Sequence, residues 1–224
     1  MTYARAVALL FSHPSIVAVP LLAAVVAVLV DRVTPFLTDP LGGLGTSLLG
    51  FLVQIVFLWA FGIAIVQASN IWRKRRGSFD EAWPEGRAKS GGILLAAIGF
   101  QFVVYAGGLI GSYVHPLAGL FLEAIAAFFL IYTIPAAAIG GMPGSLALSA
   151  SVRAVRANVS GSVVLAIVFV ALWIFLPYGL QYAVVNFTPI ESSLTMALVR
   201  AVVLAYLAFP FAKQYDDVAF TRYR

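Results

Sequence analysis

The sequence predicts an all-α polytopic membrane helix bundle: six transmembrane helices, cytoplasmic interfacial amphipathic helices between them, and a threefold repeat of helix hairpins. Three observations lead there. Of 224 residues, 62% are hydrophobic and 10% charged, with a mean hydropathy of +1.00, whereas a soluble domain needs about a quarter of its residues charged to cover its surface. The chain also divides into six stretches free or nearly free of Asp, Glu, Lys and Arg, as expected when a charge at a span centre costs about 2.5–3.5 kcal/mol on insertion scales. Finally, the basic residues between those stretches gather on one side of the membrane.

The spans follow in order. Span one lies between Arg5 and Asp31, its apolar run from Ile16 to Val30 long enough to cross if it begins near Pro14. It lacks a small-residue cleavage site at Val28-Leu29-Val30-Asp31 and reads as a retained helix. Gly42-Gly43-Leu44-Gly45 reads as a flexible turn before span two, which covers about residues 48–71. From Lys89 to Arg153 only Glu123 is charged, a length that needs two helices, about 92–110 and 117–139, with residues 111–116 as the turn. Residues 157–190 hold span five and 194–212 span six, interrupted by Arg200. Pro20, Pro135, Pro177 and Pro210 mark kinks, with Pro177-Tyr178-Gly179 the best candidate for a broken helix. None of these runs has the period-two alternation of barrel strands.

Orientation follows from Lys and Arg. With a cytoplasmic N-terminus, 12 of the 14 basic residues lie inside, Arg32 outside and Arg200 within a span. Such a bias places both termini in the cytoplasm, and the chain in a bacterial or archaeal cytoplasmic membrane. It also accounts for the net charge of +5 without nucleic acid.

Gly77-Ser78 leads through Arg87-Ala88-Lys89-Ser90-Gly91 into span three, and Gly144-Ser145 leads through Arg156-Ala157-Asn158-Val159-Ser160-Gly161 into span five. The N-terminal segment fits the same plan, giving one integral membrane domain of three units, residues 3–76, 77–143 and 144–224, each an amphipathic helix, a helix out and a helix back. In the third unit Leu148, Val152 and Val155 recur at helical spacing while Ser149, Arg153 and Arg156 take another face, so this helix is expected to lie in the interface. Ser78-Phe79-Asp80-Glu81 matches a capping box. Arg73, Lys74, Arg75, Arg76, Arg153 and Arg156 are the candidate contacts to anionic lipid, at about 1 kcal/mol for each residue near the surface.

Gly144-Ser145-Leu146-Ala147-Leu148 with Ser151-Val152-Arg153 and Arg156-Ala157-Asn158, followed by Phe209-Pro210 and Gln214-Tyr215-Asp216-Asp217 after the last span, resembles a largely uncharacterised family of six-helix membrane proteins. That family includes the membrane domain attached to some glycerophosphoryl diester phosphodiesterases. The resemblance implies the six-helix layout and no activity, because the phosphodiesterase chemistry of fused members belongs to a separate soluble barrel.

Function is bounded mainly by exclusion. Cysteine is absent, which removes disulfides, thiol nucleophiles and cysteine-ligated metals. His13 and His115 lie at opposite ends of the predicted bundle, so neither a metal site nor a cofactor is expected, and no catalytic residue stands out. Glu123 and Arg200 are the deepest charges, each six positions into its span and so about 9 Å down at 1.5 Å rise per residue. An intramembrane ion pair is the natural assignment. The expected function is a non-catalytic scaffold or accessory subunit of a membrane complex, with membrane lipids and a membrane-protein partner or a second copy as partners. The alternative is a small transporter or channel using Glu123 and Arg200 in a cavity.

Overall fold

The structure is a computed structural model and describes residues 2–38, 42–74, 78–183 and 187–220. Among them there are helices and no strands. Helix α1 (Thr2–Ser12) ends at His13, and a 3-10 turn (Pro14–Val17) redirects the chain into α2 (Ala18–Thr38). Helices α3 (Gly42–Lys74) and α4 (Phe79–Ser112) form a long antiparallel pair, and α4 turns through Tyr113–His115 into α5 (Pro116–Phe129). Then come α6 (Thr133–Ala138), α7 (Gly144–Ala157), α8 (Val159–Val170), a π-helical stretch (Ala171–Phe175), α9 (Leu176–Ala183) and α10 (Pro189–Phe220). Six stretches among these are long and apolar enough to cross a membrane: Pro14–Thr34, Ser47–Arg73, Phe79–Ser112, Pro116–Ala138, Val159–Tyr182 and Glu191–Ala219. The chain is thus an all-α polytopic bundle and reads as an integral membrane protein.

Several local features follow from individual residues. Ser78 caps α4, its hydroxyl accepting from the Glu81 N–H at 3.3 Å, which is the serine half of the capping box. His115 caps α5 and Pro116 occupies its first turn, where a missing N–H costs nothing. Gly141 and Gly144 take positive φ in the connection to α7, a conformation L side chains rarely adopt. The glycines of residues 42–45 form the first turn of α3 rather than a turn before it.

Among the described residues, two spans depart from regular helix in their interior, each at a proline. Pro177 has no N–H for the Trp173 carbonyl, and its ring would collide with it. The ladder slips to a π-helix over Ala171–Phe175, with the Leu176 N–H reaching the Ala171 carbonyl. Span five therefore stays continuous at the best candidate for a broken helix. The break is in span four: Pro135 cannot follow a regular helix through Ile131, and the chain turns at residues 130–132 before α6 begins.

The lead-in helices are not alike. α1 and α7 are separate from the spans they precede, whereas α4 runs unbroken from Phe79 through residues 90–91, where a junction is expected. The buried face of α7 is also made of smaller residues than the sequence pattern indicates. Ala147, Ala150, Ser151, Ala154 and Val155 are buried against α4 and α6, while Leu148 and Val152 sit at its margin. Small side chains let α7 approach its neighbours closely, so this face is covered by protein rather than lipid. α10 packs along α2 and α3 and holds α1 across its far end, and the core runs between these helices through Ala60, Ile65, Phe209 and Phe211.

Candidate functional site

The polar side chains of the bundle gather at the end that carries α1, the start of α4, α7 and the end of α10. The break in span four is their organising feature. Interrupting the helix at residues 130–132 frees a carbonyl at Phe129 and an N–H at Tyr132, and buried backbone groups of this kind need partners. Ser151 serves both: its hydroxyl donates to the Phe129 carbonyl at 2.9 Å and accepts from the Tyr132 N–H at 2.9 Å. Ser151 is fully buried.

Tyr132 extends the network. Its ring is fully buried and its hydroxyl donates to Gln214 Oε1 at 3.0 Å. Gln214 Nε2 donates in turn to the Tyr3 hydroxyl at 3.1 Å, and the Tyr206 hydroxyl donates to the Tyr3 carbonyl at 3.4 Å. On the other side Ser162 Oγ lies 3.2 Å from the Tyr132 hydroxyl and 2.7 Å from the Asn158 carbonyl, with one proton to give to either. The Asn158 side chain caps α8 by accepting from the Gly161 N–H at 3.1 Å. Tyr215 is buried over Gly140, where a Cβ would stand 3.0 Å from its hydroxyl and 2.7 Å from the Ala136 carbonyl, so glycine alone fits. Burial pushes the Tyr3 hydroxyl above its ordinary pKa, partly opposed by the bond from Gln214.

A second set of ties joins α3 to its neighbours. Glu85 accepts from Asn70 Nδ2 at 2.9 Å and from Lys89 Nζ at 2.8 Å, and Lys89 also donates to the Ala138 carbonyl at 2.9 Å, closing the end of α6. Gln67 donates to Ser15 and Trp59 to Ser90. Trp72 Nε1 donates to the Phe209 carbonyl at 3.1 Å while the Arg5 guanidinium stacks 4.9 Å above its ring. Arg73 forms an ion pair with Asp216, and Lys213 with Asp217.

The structure scatters the residues singled out from sequence. Arg73 is engaged by Asp216, Arg153 and Arg156 are exposed on α7, and Arg75, Arg76 and the side chain of Lys74 lie outside the described residues. Glu123 and Arg200 do not meet. No ion pair joins them, Glu123 stands against Gly108 of α4, and Arg200 is on α10, which packs against α2 and α3. The shared depth fails as well: α5 begins at Pro116 and α10 at Pro189, which puts Glu123 about 10 Å and Arg200 about 16 Å along their helices.

Glu123 instead lines a groove of about 410 Å³ between α4 and α5, together with Tyr105, Gly108, Ser112, Gly119 and Leu120. The two helices approach closely here on glycine: a Cβ at Gly111 would fall 2.5 Å from the Ala118 carbonyl and one at Gly119 2.8 Å from the Gly108 carbonyl.

The chain matches no family model, no curated protein and no solved structure. Among the described residues no group of three or more His, Asp or Glu is placed to hold a metal ion. What the polar network at the basic end does chemically is to donate and accept hydrogen bonds between helices. Tyr3, Tyr132 and Glu85 are not distinguished by sequence pattern.

Proposed function

We propose that the chain is a non-catalytic integral membrane protein that acts as a scaffold or accessory subunit of a membrane complex. The carrying observation is the use of its polar side chains. Tyr3, Tyr132, Ser151, Ser162 and Gln214 bond one another and the backbone freed at the break, tying α1, span four, α7, α8 and α10 into one frame. Buried groups satisfied in this way stiffen a structure. Around that frame, span five is buried over only 12% of its apolar window against 56% for the last span, which leaves a long flank for lipid or a partner helix.

The charge bias supports an orientation with both termini inside, and the membrane of this reading is a bacterial or archaeal cytoplasmic one. Arg153 and Arg156, exposed on α7, then face anionic lipid on that side. The three-unit scheme and membership of the six-helix family stand on the same proposal.

Copurification from native membrane tests it. A stoichiometric membrane-protein partner is the expected result, and a chain that purifies alone and moves solute across liposomes overturns it in favour of the transporter. Topology is read separately, because the chain has no cysteine: single cysteines at Ser78 and Ser145 should react with an impermeant maleimide only from inside, and one at Tyr113 only from outside.

A further inference from the structure

The groove between α4 and α5 holds a carboxyl group, that of Glu123, which no described residue answers. Tyr105, Gly108 and Ser112 recur on one face of α4, and Gly119, Leu120 and Glu123 face them from α5, so the groove runs along two adjacent helices rather than into the core. Glu123 forms no hydrogen bond or ion pair among the described residues, in contrast to Glu85, Asp216 and Asp217, each tied to a basic partner. Among the described residues no Lys, Arg or His lines the groove. The surrounding surface is apolar and outward-facing, with Leu120 and Leu109 exposed. In a membrane-spanning chain, that surface meets hydrocarbon, where an unpartnered carboxylate is expensive and marks a binding function.

We propose that this groove binds an amphiphilic cation: a molecule whose only charge is an amine or quaternary ammonium, carried on an apolar body. Four features select that class. Among the described residues Glu123 is the single acidic side chain lining the groove, so a ligand with one cationic head matches it. The Tyr105 ring lines the same groove, and a cation is attracted to an aromatic face. The absence of a basic lining residue leaves nothing to hold a phosphate, which disfavours zwitterionic and anionic phospholipids. Glu123 lies about 10 Å below the start of α5, the zone where an amphiphile places its head, and the groove's 410 Å³ falls within the size of small-molecule sites. The glycines at 108 and 119 keep the floor low enough for the head to reach the carboxylate: a Cβ at Gly108 would stand 3.2 Å from Glu123 Oε2.

The test uses the full chain in phosphatidylcholine nanodiscs with dodecyltrimethylammonium as the probe, measured by equilibrium dialysis against empty nanodiscs. Saturable binding of one probe per chain is expected, weakened at least ten-fold in Glu123→Gln and also weakened in Gly108→Ala, with Arg200→Gln unchanged. Equal binding by Glu123→Gln, or saturation of the same site by dodecyl sulfate, overturns the proposal. A photoreactive dodecylammonium on the native chain gives an answer that needs no variant to fold. Cross-links confined to residues 105–123 support the groove, and cross-links elsewhere sink it. If a cysteine replacing Leu120 is instead cross-linked in native membrane to a second protein that blocks probe binding, the occupant is a partner helix and the proposal fails.

Discussion

Replacing Ser151 with alanine removes one hydroxyl and leaves two buried backbone groups, the Phe129 carbonyl and the Tyr132 N–H, without their partner. Two magnitudes compete. Hydrogen bonds between membrane helices average about 0.6 kcal/mol and reach about 1.7, because an alternative partner is often at hand. A buried group left unsatisfied costs about 1–3 kcal/mol, so two of them predict a loss of roughly 2–6 kcal/mol. The second magnitude should win at Ser151, which is fully buried and serves backbone that Pro135 prevents from re-forming a regular helix. Reversible unfolding in mixed micelles by increasing dodecyl sulfate, followed by circular dichroism, gives the free energy. Ser149→Ala is the control, since that exposed hydroxyl reaches only the Leu146 carbonyl of its own helix, and it should change stability by less than about 0.5 kcal/mol. A second background sharpens the test: with Pro135→Ala the helix can close across residues 130–132, and the Ser151→Ala loss should shrink. If Ser151→Ala costs no more than Ser149→Ala, or the same in both backgrounds, the hydroxyl does not sustain the break.

Thr133 Oγ1 is buried without a partner, so Thr133→Val, which keeps the shape and removes the orphan, should stabilise the chain by about 1 kcal/mol in the same assay. Gly119→Ala should destabilise by about 1–3 kcal/mol, because its Cβ would sit 2.8 Å from the Gly108 carbonyl and force α4 and α5 apart. A cysteine pair across the hairpin would report the separation through slower disulfide formation. Lys89→Met deprives the Ala138 carbonyl of its donor while Glu85 keeps Asn70, and a loss of about 1 kcal/mol is expected. The Tyr3 hydroxyl, with its pKa raised by burial, favours the folded state while protonated. Its contribution is full below the unfolded tyrosine value near 10 and is lost as pH rises above it. Tyr3→Phe should therefore flatten the alkaline fall in melting temperature, and an unchanged slope would show that Tyr3 does not titrate in the fold.

The spans were legible because hydrocarbon penalises charge residue by residue, a local rule that a single chain displays directly. The Tyr113–His115 turn and the Ser78 cap were legible for the same reason, each being set by neighbours within four positions. The break in span four was not. Pro135 announces an interruption, but its place at residues 130–132 depends on Ser151, which is distant along the chain and becomes a partner only once α7 packs on α6. The network behaves likewise: Tyr132, Gln214 and Tyr3 come from three segments, and their hydropathy says nothing of their meeting. Pairing Glu123 with Arg200 failed because depth along a helix does not decide adjacency. α5 packs on α4 and α10 on α2 and α3.

That failure divides the polar groups of this chain into two kinds. At the basic end, departures from regular helix create unsatisfied backbone, and Ser151 and Lys89 are placed where those carbonyls need donors. Removing either should cost stability whatever the protein does. Glu123 answers no such need: α5 is regular where it stands, the caps of α5 are supplied by His115 and by backbone, and no basic residue lines its groove. A carboxylate with no partner among the described residues, on a surface where charge is costly, is the kind of group that marks a binding function. The two kinds are separable by measurement. Glu123→Gln should leave unfolding free energy within about 0.5 kcal/mol of the native chain while changing what the groove binds. A loss as large as that of Ser151→Ala would instead place Glu123 among the structural ties.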